Sequence, residues 1–475
     1  MASTLFIGRV NECKALQTLA SQNDEARLLI VYGRRRVGKT ELLEHNFGER
    51  HLFKFEGIEG ENEAYQRQRV LEQLARYVNE PWLAKVATKH WGQVFELIAK
   101  YTATGIATIY FEEIQWLAQY RTELIAELKY AWDNFFRKNK DLIVILCGSS
   151  PSFMIEKVVR SKALYNRSQH ELALQPFSIQ ETAQFLEGRG LREVMDAYLL
   201  VGGIPEYLKR IKTDSSILLS LCKQSFTPMG FFSNEYTRIF TSSLSENKHY
   251  QKIIEFLSQT RFATRSEIAK HLKIVTGGTL TAILEDLVIC GFVLRYKPFN
   301  TSERSLLARY SISDAYLQFY FKFIKGEATH IAEGVFIENP MRAIKIDTLQ
   351  KWLGFSFERF CRLQHQMIAK RLGFGAVRYR SGVFFNRSAE KALPGYQIDL
   401  IFERDDHVYT LCEIKYRESK VGTEVIADFE KKLALFPNPK QYSIHKVLIS
   451  AEGAQPALID RHYFDEILRL QDVIT

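Results

Sequence analysis

The chain has 475 residues, more than one hydrophobic core usually supports, so three or more structural units are expected. Apolar residues make up 46% and charged residues 25% of it, ordinary values for a soluble globular protein, and no apolar run approaches membrane-spanning length. The six cysteines are scattered without a close pair, which argues against a zinc site or a disulfide framework, and a formal charge of +9 suits either attraction to nucleic acid or an ordinary solvated surface. The start, Met1-Ala2-Ser3-Thr4, lacks a basic region followed by an apolar core, so a cytoplasmic protein with reduced thiols and no membrane partner is expected.

In chain order, Phe6-Ile7-Gly8-Arg9 with Glu12 precedes a helical pattern through Leu16 and Leu19. The apolar run Leu28 to Tyr32 suits a buried parallel strand, and Thr40 to Leu43 opens a helix. Between them lies Gly33-Arg34-Arg35-Arg36-Val37-Gly38-Lys39-Thr40, the spacing of a phosphate-binding loop. Its glycines let the backbone approach phosphate, and the amides at the helix start favour an anion. Lys39 is expected at the β- and γ-phosphates and Thr40 at Mg²⁺.

A second strand-like run, Ala107 to Phe111, ends in Glu112 and Glu113. A nucleotide hydrolase needs one carboxylate there to hold the metal, the role given to Glu112, and one to polarise the attacking water, the role given to Glu113. A third run, Leu142 to Cys147, ends in Gly148-Ser149-Ser150, which puts Ser149 where a γ-phosphate is sensed. Downstream come Leu164-Tyr165-Asn166-Arg167 and Gly202-Gly203-Ile204-Pro205-Glu206-Tyr207-Leu208.

This order of elements resembles the archaeal-type ATPases of the AAA+/STAND group over roughly residues 5 to 240, and Gly-Gly-x-Pro is its most specific mark. The resemblance implies a P-loop three-layer ATPase core over residues 1–165 and a helical lid over 166–245, with ATP and Mg²⁺ as cofactors. Glu112 stands where the group usually has Asp, a departure that puts fast hydrolysis in doubt more than binding. Arg167 falls at the family's arginine element, where it contacts a phosphate in cis, contacts one across a subunit interface, or forms a surface ion pair.

Residues 246–312 read as three short helices and a hairpin, a winged helix-turn-helix, with Thr276, Thr279, Thr281, Arg295, Lys297 and Arg304 available to DNA. The third helix carries Glu285 and Asp286 and lacks a base-reading cluster, so an interdomain coupler is the other expectation. Residues 313–345 read as a helical connector whose Tyr316, Phe319, Tyr320, Phe321 and Phe323 fit a buried face.

The last unit, residues 346–475, carries a hairpin pattern over Tyr396 to Phe402 and Val408 to Tyr416. Asp399 and Glu413 are placed to converge on a divalent metal, leaving Lys415 to orient water or to stabilise charge on a phosphate. The arrangement resembles the PD-(D/E)xK nucleases, with Glu358 on a helix over 349–372 as the upstream acid. Gln397 stands where that family often has Glu, and no proline directly precedes Asp399. The fold class expected is therefore α/β multidomain, ending in a restriction-endonuclease-like α/β domain.

Two functions follow. In one, ATP binding between core and lid moves the winged helix and controls access of DNA to a nuclease site that uses Mg²⁺ or Mn²⁺. In the other, the chain is a nucleotide-dependent switch that binds DNA or a protein partner, or assembles as a homo-oligomer, and the nuclease-like domain is catalytically silent.

Overall fold

A computed structural model describes residues 6–22, 24–165, 167, 170–243, 248–260, 262–275, 277–299, 308–386 and 396–475. Asn166, Thr276 and the polar stretch from Asn300 to Ser305, with Arg304, lie outside the described residues.

The first sheet holds β1 (Arg27–Tyr32), β2 (His51–Glu56), β3 (Ala107–Glu112), β4 (Leu142–Gly148) and β5 (His170–Ala173), in the order β2-β3-β4-β1-β5. All four pairings are parallel. Alternate residues of each central strand feed two separate interiors, as a period of two demands. Leu28, Ile30, Ile109, Phe111, Val144 and Leu146 pack under helices Glu63–Val78, Trp91–Tyr101 and Glu123–Asn134. Leu29, Val31, Tyr110, Ile143 and Ile145 pack under helices Val10–Ser21 and Lys39–Phe47. Both faces are covered, so the central strands read as unbroken apolar runs.

Five helices follow, Ile179–Phe185, Leu191–Val201, Pro205–Ile211, Ile217–Ser225 and Phe231–Ser243. Gly203 sits so close to Phe177 that a Cβ there would lie 2.0 Å from the Phe177 carbonyl oxygen. The turn at Gly202 and Gly203 thereby seats the third of these helices, which Pro205 opens, against the preceding strand-to-helix connection.

Residues 249–312 contain helices His249–Gln259, Arg265–Leu272 and Gly278–Ile289. An antiparallel sheet joins them, with β6 (Ala263–Thr264), β7 (Val293–Tyr296) and β8 (Arg309–Ile312) in the order β6-β8-β7. Thr264 and Glu267 form a reciprocal capping box that starts the second helix. In the connector, Tyr316, Phe319 and Phe323 are buried.

The C-terminal unit places β9 (Tyr379–Asn386), β10 (Tyr396–Arg404), β11 (Val408–Lys415), β12 (Ser443–Ser450) and β13 (Glu466–Leu468) in one mixed sheet, order β13-β12-β11-β10-β9. β9, β10 and β11 pair antiparallel, and β11, β12 and β13 parallel, with helix Glu424–Leu435 crossing from β11 to β12. The helix expected over 349–372 is two helices, Ile346–Leu363 and His365–Arg371, because Gln364 leaves helical geometry at ψ 24°.

The units expected beyond the ATPase sheet share one interior. A single apolar cluster runs from Phe177 through Leu257, Leu287, Tyr316 and Phe357 to Ile474, taking in one face of the C-terminal sheet at Leu400, Cys412 and Ile414. The other face, with Ile398, Ile401 and Leu411, packs under helix Glu424–Leu435 through Val425 and Phe429.

Candidate functional site

Because β1, β3 and β4 are parallel and adjacent, the segments leaving them emerge at one edge of the sheet, where ligands of such sheets bind. That edge gathers Gly33 to Thr40, Glu112 with Glu113, and Ser149. Gly33 cannot be larger, since a Cβ would stand 2.3 Å from the Leu174 carbonyl oxygen, and Gly38 takes the left-handed conformation at φ 88°. The Lys39 ammonium donates to the carbonyls of Gly33 at 3.0 Å and Arg34 at 3.2 Å, so it lies across the mouth of the loop. Thr40 Oγ1 donates to Glu112 Oε1, and the second oxygen of Glu112 meets Lys54 Nζ at 2.7 Å. The longer side chain of Glu112 thus reaches the threonine. Hydroxyl and carboxylate oxygens are the donors that Mg²⁺ takes, so the pair fits that ion. Burial opposes the charge of Lys54, but hydrogen bonds to Glu112 and Glu44 raise its pKa above the ordinary lysine value.

Glu113 has a left-handed backbone, φ 52°, which turns its carboxylate onto β4. There Glu113 Oε2 accepts from the Ser149 amide at 3.0 Å and from Gln115 Nε2 at 2.6 Å, and Gln115 Nε2 also donates to Ser149 Oγ at 3.2 Å. Ser149 is fully buried, so it acts on the edge through Glu113 and Gln115.

The side chains of the loop arginines, expected at the nucleotide, are engaged by other parts of the chain. Arg34 pairs with Asp314 and lies over Phe292. Arg35 lies over Trp116, 5.2 Å from the ring centroid, with Glu59 at 3.9 Å. Arg36 meets Glu235 at 3.2 Å. Arg9 holds the loop by donating to the Val37 carbonyl at 2.9 Å.

Arg167 lies at the other edge. It precedes β5, which runs parallel to β1 from Leu29↔His170, and it lines a cleft with Glu25 and Ala26, at the start of β1. β1 has six residues, about 20 Å of strand, so a cis contact with the nucleotide is corrected. Arg167 is paired with Asp133 at 2.8 and 2.9 Å.

Residues 6–211 match the family model described as an ATPase domain predominantly from Archaea. Over this stretch the chain is similar to an archaeal-type ATPase domain. The match supports ATPase function for the edge just described. An uncharacterized protein of Methanocaldococcus jannaschii is 28% identical over 423 residues, 88% of each chain. Among solved structures, a Walker-type ATPase of Pyrococcus abyssi is 18% identical, with a TM-score of 0.45 over 67% of this chain and 96% of that one. The ORC2 protein of Aeropyrum pernix, solved in ADPNP and ADP complexes, is 12% identical, with a TM-score of 0.42 over 70% of this chain and 96% of that one.

A second constellation lies beyond the ATPase domain. The pairing of Leu400 with Cys412 sets Asp399 beside Glu413 on neighbouring strands, and a register shift between Ile398 and Ile401 re-aims Asp399. Asp399 Oδ2 accepts from the Ile414 amide at 3.1 Å and Oδ1 from Gln397 Nε2 at 3.0 Å. Gln397 Nε2 also stands 3.4 Å from Glu358 Oε2, which Arg362 holds at 2.7 Å, so Glu358, Gln397 and Asp399 are brought together. Glu413, 1% exposed, is held by Lys415 at 2.7 Å and by Lys432 at 2.5 Å. Burial and the neighbouring Glu413 hold the Asp399 carboxyl above its ordinary range, against Lys432, the Ile414 amide and Lys415. Their oxygens are of the kind a divalent cation takes, but both oxygens of Glu413 are engaged by lysines, and among the described residues no group of three or more His, Cys, Asp and Glu side chains gathers.

Lys54, Gln115, Glu235, Asp314 and Lys432 are members of these sites that the sequence did not single out, whereas Arg9 belongs to the Phe6-Ile7-Gly8-Arg9 stretch noted ahead of the loop. Of the five, Lys432 had a local signal, as one of several basic residues in the C-terminal unit. Among the described residues no helix is long and apolar enough to cross a membrane.

Proposed function

We propose that the chain binds and hydrolyses ATP at Gly33 to Thr40, and that nucleotide state controls a metal-dependent nuclease site acting on DNA. At the first site Lys39 neutralises phosphate charge and Glu113 takes the proton of the attacking water. Thr40 and Glu112 hold Mg²⁺, which supplies further charge neutralisation when bound. At the second site Asp399 and Glu413 would hold Mg²⁺ or Mn²⁺, which would supply Lewis acidity there when bound. Glu358, through Gln397, orients Asp399, and Lys415 meets the scissile phosphate. Residues 249–312 serve as a winged helix between the two sites. Arg167, half-buried and paired with Asp133 at the far edge, suits a contact with the nucleotide of a second copy once that pair opens.

The observation that carries the proposal is that β11, which bears Glu413 and Lys415 beside Asp399 on one face, packs on the lid through its opposite face and its end. Tyr416, next to Lys415, donates to Asp196 at 2.6 Å, and Arg192 of the same lid helix lies over the Tyr416 ring at 3.7 Å and donates to the Arg417 carbonyl. A shift of that helix is felt one residue from the lysine. The test is cleavage of single- and double-stranded DNA and RNA with Mg²⁺ or Mn²⁺, with and without ATP. The parent is expected to cut DNA in a nucleotide-dependent way, with Asp399→Ala and Lys415→Ala inactive. Undiminished cutting by both variants removes the assignment.

The double clamp of lysines on buried Glu413 favours a second reading, in which the C-terminal unit is a silent docking surface and the chain a nucleotide-dependent switch for DNA or a protein partner. It predicts ATP binding that Lys39→Ala abolishes and no metal-dependent cleavage of any nucleic acid.

A further inference from the structure

The charged side chains of the phosphate loop are engaged by groups that the sequence places far away. Arg34 is tied to Asp314, 280 residues downstream, and both side chains are under a tenth exposed. Arg36 is tied to Glu235, which is 2% exposed and also accepts from the Tyr207 hydroxyl at 2.8 Å. Each guanidinium is roofed by a ring, Phe292 at 4.6 Å over Arg34 and Phe231 at 4.6 Å over Arg36. Two cations and two carboxylates are therefore held at the junction of the loop with the lid helix Phe231–Ser243 and the helix Ala315–Phe319.

We infer that Asp314 and Glu235 are positioning residues for the phosphate loop, so that ATP affinity is set from outside the ATPase sheet; the inference rests on Gly33 to Thr40 being the ATP site. The backbone states why the loop needs them. Arg36 stands at φ 70°, an uncommon conformation for a residue with a Cβ, and its side chain is held by Glu235 and Phe231. Next in the chain, Val37 is fully buried and Gly38 lies 4.0 Å from Pro205 through its position for a Cβ, so the lid packs against the same turn. Desolvated partners separate only at a large cost, because each would leave an unpaired charge. The loop, the lid helix and residue 314 therefore adopt their arrangement together. Coupling is reciprocal: if the docked lid shapes the loop for ATP, ATP on the loop favours the docked lid. Asp314 also begins the helix after β8 by accepting from the Leu317 amide at 2.6 Å, which carries the effect directly to residues 315–324.

Conservative variants separate positioning from folding. Asp314→Asn keeps an oxygen for the Leu317 amide and removes only the charge facing Arg34. Glu235→Gln keeps an acceptor for Tyr207. In the full chain with Mg²⁺, each is expected to raise the Kd for ATP about tenfold, within the range usual for coupled sites. The rise should fall on KM while kcat changes less than about twofold, the pattern of lost uniform binding. Arg34→Gln combined with Asp314→Asn should be no weaker than the weaker single variant, because both remove one interaction. Folded Asp314→Asn and Glu235→Gln proteins that bind ATP like the parent overturn the inference, as does strict additivity of the pair. A parent that binds no ATP, or Lys39→Ala binding it equally well, instead overturns the assignment of the loop, and the inference with it.

Discussion

Replacing Lys432 by methionine keeps the length and apolar stem of the side chain and removes one of the two ammonium groups on Glu413. Glu413 is 1% exposed and Lys432 19%, so the lost contact at 2.5 Å is a largely desolvated charged hydrogen bond, a class worth about 1.5–3 kcal/mol. Lys415 remains at 2.7 Å, which argues for the lower half, about 2 kcal/mol at neutral pH. Spread over a cooperative unit of about 150–250 residues, this corresponds to a fall of about 4–8 °C in the transition that includes the C-terminal sheet. The pH dependence has a definite sign. Burial and Glu413 already raise the Asp399 carboxyl above its ordinary value, and loss of Lys432, which opposes that shift, raises it further. The protonated acid is then favoured in the fold, so the deficit of the variant is largest above the raised pKa and narrows as pH falls toward the ordinary carboxylate range. A divalent cation should reverse it. Binding contributes about 2.7 kcal/mol at one hundred times its Kd, and in the variant only the Lys415 ammonium competes for Glu413. Thermal scans in chelator and in Mn²⁺ at pH 5 and pH 7.5, with calorimetric titration of Mn²⁺, test this. A variant that melts like its parent in chelator at pH 7.5, or gains no more than its parent from Mn²⁺, refutes the account of the two acids as a cation site.

Gly33→Ala should destabilise the ATPase sheet by about 1–3 kcal/mol or more, since the new methyl meets backbone at Leu174 that cannot rotate away; a melting temperature equal to the parent's would contradict the packing. Arg167→Ala should leave the Kd for ATP of the isolated chain within about twofold, given its place at the opposite edge, and a tenfold loss measured by titration would refute that placement. Tyr416→Phe should cost about 1–2 kcal/mol in urea unfolding by removing the donor to half-buried Asp196, and no change would show that the lid junction is slack.

The central strands were legible because burial on both faces leaves them almost wholly apolar, as in Leu142 to Cys147. The flanking strands β2 and β5 were not. At the sheet edges they mix polar and apolar residues, His51-Leu52-Phe53-Lys54 in one and His170-Glu171 in the other, and give no apolar run. The phosphate loop, Glu112 and Glu113 were legible from spacing, since a strand, its loop and the next helix are contiguous in sequence. Partners such as Asp314 for Arg34 or Glu235 for Arg36 leave no local pattern, because only the folded chain brings them together. The same holds at the C-terminal site. Asp399 and Glu413 follow from hairpin register, whereas the register shift that aims Asp399 and the choice of Lys432 among neighbouring lysines depend on sheet and helix packing.

The interior that runs from Phe177 to Ile474 bears on how this chain can be cut or recombined. Tyr198 on helix Leu191–Val201 meets Phe360 on helix Ile346–Leu363 edge to face at 5.6 Å, so a truncation before Ile346 strips apolar cover from helix Leu191–Val201 as well as removing the last unit. A fragment of residues 346–475 would carry the matching bare face and tend to aggregate. Exchange of this C-terminal unit for another, by a genetic event or by design, is therefore tolerated only when the incoming partner brings a complementary surface for Tyr198 and its neighbours, which ties the inheritance of the two halves together.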